Sequence, residues 1–191
     1  MNQANDITEW LDRWRRGEAG GEAELVRRIY PVVRAIAQQQ IGRVGASVTL
    51  QATELAHDAL IELARKQGIA LQDRKHLFGV VAKIIRCGLI DYLRERGAQK
   101  RGGDVERVSL SDLVDDELPA DEVNLHWLAL DRALDDLQQI EPQQVELIEL
   151  RYFAGLSIED AADSLGMSRS SAVRSWRFAR AWLADRIGSA T

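Results

Sequence analysis

The sequence predicts an all-α protein built from two small helical domains, and three observations carry that prediction. Proline is scarce, with 3 in 191 residues. The apolar residues recur at helical spacing, and no alternating strand pattern with turn doublets appears. A glycine-rich and then acidic stretch divides the chain near its middle, where a linker would fall. With 46% apolar residues, the chain has enough to bury cores and does not read as disordered.

The first helix is predicted from about Asp6 to Arg16, with Ile7, Trp10, Leu11 and Trp14 on one face, and Gly17 to Gly21 end it. The second covers roughly Glu22 to Arg43, where Pro31 should kink or locally break it. GRVGAS follows as a loop. The third, about Ala52 to Lys66, turns Leu55, Ala59, Leu60 and Leu63 inward. QGIALQD connects it to a long fourth helix, about Arg74 to Arg96, striped by Leu77, Val81, Ile84, Ile85 and Leu89. The stretch GAQKRGGDVERVSLSDLVDDELPADEV mixes breakers, like charges and Pro119, so it reads as a flexible acidic linker. The resulting division is residues 1–97, a linker at 98–120, and a second domain at 121–191 with four helices.

The last quarter is the most informative. VELIELRYF is helical and Gly155 ends it; Ser157 caps a short helix in which Ala161 and Ala162 permit a close crossing. Gly166 supplies a turn, and Ser168 caps the final helix. On that helix Ala172, Trp176, Ala179 and Leu183 make one apolar face, while Arg169, Ser170, Val173, Arg174 and Arg177 point elsewhere. An arginine-studded helix entering after a glycine turn suits the DNA major groove.

The formal net charge of −5 conceals a strong partition. From Arg74 to Arg101 stand eight Lys/Arg against two Asp/Glu; from Asp104 to Asp163, three against seventeen; from Ser168 to Ile187, five against one. Two basic stretches separated by an acidic one fit two DNA contacts with a repelling linker. On the fourth helix Lys75, Lys83, Arg86, Arg94, Arg96, Lys100 and Arg101 form a basic rim, with Phe78 and Tyr92 interleaved. That combination suits separated strands, although Phe78 reads better as core.

Cys87 is the only cysteine, which excludes a disulfide framework and a Cys-based zinc site. No signal peptide and no membrane span is predicted, so a cytoplasmic setting is expected. An enzyme reading would start from the His57-Asp58 doublet. A metal there needs further ligands, and only His76 and His126 remain. No catalytic residue, metal or cofactor is assigned.

Three ordered blocks, TLQATELAHDALIELA, HLFGVVAKIIRCGLIDYLRERGAQKRGG and VELIELRYFAGLSIEDAADSLGMSRSSAVRSWRFARAWL, resemble a bacterial extracytoplasmic-function (ECF) sigma factor. The resemblance implies a σ2-like domain that binds the −10 promoter element and a σ4-like domain that binds the −35 element. Both would grip core RNA polymerase, at the β′ clamp helices and the β flap. It implies that Glu54, His57, Asp58 and Glu62 meet the clamp helices, and that the loop 68–74 holds a flipped base. Arg74, Lys75, Lys83, Arg86 and Arg94 would contact the −10 region; Arg169, Ser170, Ser171, Arg174 and Arg177 would face the −35 duplex. Val173 stands where such helices usually carry lysine or another polar residue.

Many ECF factors start the third helix with a run of acidic residues, whereas here only Glu54 is acidic. A phosphate on Thr53 would restore about −1.5 to −2 charges at a helix N-terminus. A Ser/Thr kinase acting at Thr53, or less favourably at Thr49, is therefore one expected regulator, and an anti-sigma factor is the other. The competing reading is a stand-alone helix-turn-helix transcriptional regulator, which leaves the basic fourth helix unexplained. An inhibitory lid formed by the N-terminal helix is a further expectation.

Overall fold

The computed structural model describes residues 3–44, 49–66, 71, 73–99, 107–109 and 124–188. Eight α-helices appear among them: α1 (Gln3–Arg15), α2 (Gly21–Val44), α3 (Ala52–Arg65), α4 (Arg74–Gln99), α5 (Trp127–Ile140), α6 (Pro142–Ile148), α7 (Ile158–Ser164) and α8 (Arg169–Gly188). The all-α expectation holds for the architecture. One small addition is a two-stranded antiparallel ribbon, β1 (Arg107–Ser109) with β2 (Asn124–His126), in which Val108 faces Leu125 in register. Apart from β1, the predicted linker at 98–120 lies outside the described residues after Gln99.

In the N-terminal half, α1 lays Ile7 and Leu11 against α2, and the Arg13 and Arg28 guanidiniums flank the Trp10 ring at 4.4 and 5.4 Å. This docking places α1 mainly on α2, so the helix belongs to the core of its half. The helix α2 continues through Pro31, without the local break that the proline could have caused. Buried Leu25, Ile29, Val33, Ile36 and Ala37 hold one continuous face on both sides of the exposed proline. The helix ends at Val44, one residue past its predicted end at Arg43. Asp73 caps α4, its carboxylate accepting from His76 N–H at 2.7 Å.

The C-terminal half starts at α5. The segment read as one helix, VELIELRYF, is α6 continued by a π-helical turn over Glu149–Phe153. The wider turn leaves Glu149, Leu150, Tyr152 and Phe153 all buried. Trp127 takes Phe153 as its ring partner at 6.0 Å. Gly155 and Gly166 take the left-handed conformation, φ 74° and 63°, as their turn positions require.

A single apolar core runs through both halves. The seam joins α4 to the π turn, α5 and α7. A Cβ on Gly79 would lie 2.7 Å from Leu150 Cδ2, so glycine allows α4 and the π turn to approach this closely. From α2, Gln40 donates to the Phe153 carbonyl at 3.4 Å and Arg43 donates to that of Tyr152, its guanidinium 4.0 Å over the Tyr152 ring.

Candidate nucleic-acid interface

The first surface is α8. Ser157 starts α7, its hydroxyl accepting from Asp160 N–H at 3.0 Å and donating to the Asp160 carboxylate at 2.8 Å. Ala161 and Ala162 are buried where α7 crosses α8. Ser168 caps α8, accepting from Ser171 N–H at 3.1 Å. The expected apolar face, Ala172, Trp176, Ala179 and Leu183, is buried, and Ile187 extends it. The opposite face is turned to solvent: Arg169, Ser170, Arg174 and Arg177 are exposed and Ser171 is half-buried. Arg169 is paired with Glu159 at 2.5 Å, and Arg174 donates to Ser171 Oγ at 3.3 Å. Arg177 carries no ion pair among the described residues. Phe178 is half exposed beside it.

The second surface, α4, differs from the sequence expectation at its centre. Arg86, read as part of an exposed rim, is only 3% exposed. It lies under the C-terminal half, bonded to Asp131 of α5 and to Glu149 of the π turn, the latter at 2.9 Å. The reason is geometric. The side of α4 that carries Gly79 and Arg86 meets Leu150, Asp131 and Glu149 of the C-terminal half, while α2 and α3 also pack on α4. Burial opposes the Arg86 charge, but Glu149 and Asp131 hold its pKa above the ordinary arginine value. Burial also pushes the Glu149 carboxyl up, against the pull of Arg86.

Two further cations of α4, less buried than Arg86, are also paired with carboxylates of the C-terminal half. Arg94 is exposed but reaches Asp131 at 2.9 Å as well as its helix neighbour Asp91 at 3.3 Å. Lys75 bridges to Asp160 at 2.8 Å and Asp163 at 3.5 Å on α7. The hydrogen bond to Asp160 raises the Lys75 pKa and lowers that of Asp160. Arg74 is half-buried and Lys83 exposed. Lys83 borders a cavity of about 490 Å³ between the halves, which His76, Gly79, Glu146, Glu149 and Leu165 also line. Most of the loop 68–74, expected to hold a flipped base, lies outside the described residues. Phe78 is core, as read; Tyr92 is half-buried, and its hydroxyl lies 2.9 Å from Thr49 Oγ1.

The third surface is one face of α3. Glu54, His57 and Asp58 are exposed, Glu62 is half-buried and 3.6 Å from Lys66, and the His57 ring stacks on Tyr30 at 5.4 Å. Ile61, half exposed, adds an apolar centre that the charge-led reading passed over. Thr53 is exposed in the first turn, and Gln51 at the N-cap makes no side-chain cap hydrogen bond.

Sequence reasoning missed the carboxylates that meet α4. Asp131, Glu149, Asp160 and Asp163 fall within the acidic run read as a repelling spacer, yet they sit on α5, α7 and the π turn and attract α4. Asp131 and Glu149 do sit on otherwise apolar helix faces, between Trp127 and Leu134 and between Val145 and Phe153, and that placement was a readable signal. Among the described residues no group of three or more His, Cys, Asp or Glu is placed to hold a metal, and no helix is long and apolar enough to cross a membrane.

Compared with known proteins, the chain matches the family model described as ECF sigma factor over residues 4–189. No curated protein matches it. Among solved structures it is similar to the co-crystal structure of the sigma factor RpoE in complex with the anti-sigma factor NepR from Bartonella quintana. That likeness is 21% in identity and covers 89% of this chain and 98% of the other, with a TM-score of 0.41.

Proposed function

From the premise that this chain belongs to the ECF sigma factor family, established by a match spanning both halves, we propose the following division of labour. The protein binds core RNA polymerase through the exposed α3 face, Glu54, His57, Asp58 and Glu62, and through its C-terminal half at the β flap. The N-terminal half, residues 1–97, takes the −10 element along α4, with Arg74 and Lys75 at the start of the helix beside a flipped base and Lys83, Arg86 and Arg94 on backbone phosphates. The C-terminal half, residues 121–191, takes the −35 duplex along α8, with Arg169, Ser170, Ser171, Arg174 and Arg177 toward the groove. It acts by binding, in the cytoplasm where the polymerase works. Holding unpaired bases offsets an opening cost of a few kcal/mol per flipped base. Tethering both contacts to one polymerase raises the effective concentration of the second.

The observation that carries this reading is the family match over residues 4–189, which includes both basic helices. A stand-alone regulator would use α8 and leave α3 and α4 without a task. The test is transcription in a reconstituted system containing bacterial core polymerase and the genome's own promoters. Start sites that require the chain and share motifs near −10 and −35 are expected. The reading fails if core polymerase with the chain starts nowhere that core alone does not.

The exposed Thr53 supports a regulatory refinement. It occupies the second position of α3, where a phosphate meets unbonded N–H groups and the helix dipole, a term of about 0.3–1 kcal/mol. Thr49 is engaged with Tyr92 and suits a kinase less well. In this refinement a Ser/Thr kinase strengthens the polymerase-facing charge through Thr53, whereas an anti-sigma factor would instead cover α3 and α4. A Thr53→Ala protein that stays fully active in cells rules out the kinase.

A further inference from the structure

The apolar face of α8 is buried, yet Phe178 on the same helix is 50% exposed. A single exposed apolar side chain needs no explanation by itself, but the place of this one is informative. Phe178 shares an i, i+4, i+8 row with Ser170 and Arg174, both exposed, and directly follows exposed Arg177. Residues so spaced form one ridge, roughly 12 Å long, which spans about three to four base pairs. The other apolar residue on this side, Val173, is partly buried against the core. Phe178 therefore presents a ring to solvent among the side chains that face outward from α8.

We infer that Phe178 is a specificity-determining residue, whose ring packs on the C5-methyl group of a thymine in the −35 duplex. The inference rests on reading α8 as the −35 surface. A phenyl ring neither donates nor accepts a conventional hydrogen bond, so the donor and acceptor pattern of the base edges is closed to it. The thymine methyl is the apolar mark in the major groove, and packing on it is how an apolar side chain tells one base pair from another. Arg174 and Arg177 offer the paired donors that guanine O6 and N7 accept. The ridge then reads a mixed element, with guanine opposite the arginines and thymine toward the C-terminal end of α8. Phosphate contacts carry no base information, so dependence on a single methyl group separates this role from general attraction to DNA.

The test uses the full chain bound to bacterial core polymerase, on promoter DNA from which that holoenzyme initiates. Each thymine of the −35 segment, on either strand, is replaced in turn by uracil, which lacks only the methyl group. At one position the change should weaken binding by about fourfold, the loss expected from one methyl left without its contact. With Phe178→Ala the thymine and uracil duplexes should bind alike at that position, whereas Phe178→Leu should keep most of the difference. Arg174→Ala should weaken both duplexes and leave their ratio unchanged. Because Phe178 is exposed, its variants should unfold in urea with the parent. A −35 segment without thymine, no methyl effect at any thymine, or an effect that survives Phe178→Ala would each overturn the inference. Weaker binding of Phe178→Ala to core polymerase, with no methyl effect, would assign the ring to a protein contact and also overturn it. These outcomes leave the sigma reading standing. Absence of core binding by every form, or of any start site that requires the chain, overturns that reading and this inference with it.

Discussion

Helices α4 and α8 are both basic, yet they meet their surroundings in opposite ways. On α8 the apolar face is buried against its own half, and Arg174 and Arg177 point to solvent. On α4 two sides are covered, one by α2 and α3 and one by the C-terminal half, and Arg86 lies inside the second contact. Charge composition alone does not distinguish the two helices. Which of them has its cations available is decided by the partners that the rest of the chain supplies.

That contrast can be broken or sharpened by substitution. The largest effect is expected from Phe153→Ala at the seam, where Phe153 is fully buried and lies beside Trp127, Tyr152 and Arg86. A loss of roughly 3–5 kcal/mol is expected in urea unfolding, together with loosening of the seam. Changes on α8 should act on DNA and leave the fold alone. Arg174→Ala and Arg177→Ala should each weaken binding to a −35 duplex by about 1–3 kcal/mol if they reach base edges. Unfolding should then stay within about 0.5 kcal/mol of the parent. Ser168→Ala removes the α8 cap and should cost about 1 kcal/mol in thermal unfolding.

The smallest effect is a pH dependence of closure through Lys75 and Asp160. The Asp160 pKa is held below its ordinary value of 3.8, so this link is present above that pH and is lost as pH falls through the lowered value. The Lys75 pKa is held above 10.5, so the link is present below that pH and is lost as pH rises through the raised value. Both groups are partly exposed, so energy transfer between dyes on the two halves should stay flat across neutral pH and change only slightly at the extremes.

Local rules made much of the molecule readable in advance. Ser157 and Ser168 cap their helices, Gly155 and Gly166 turn the chain, and the α8 stripe is buried as its spacing requires. These depend on residues within a few positions of one another. The rest is decided where distant segments meet. Pro31 is carried through α2 by burial on both sides of it, and the π turn shifts the register of Glu149–Phe153. On α4, Phe78, Ala82, Ile90 and Leu93 are buried in addition to the predicted stripe, of which Ile84 is only partly buried against the core. A helix packed on two sides has no single apolar stripe, so periodicity alone placed Arg86 on the rim.

The most direct measurement is the affinity of the full chain for bacterial core RNA polymerase, beside Glu54→Lys/Asp58→Lys, which reverses charge on the exposed α3 face. Saturable binding by the parent, weakened at least about tenfold by the α3 change, is the expected result. Absence of binding by the parent and by its Thr53-phosphorylated form would contradict the account.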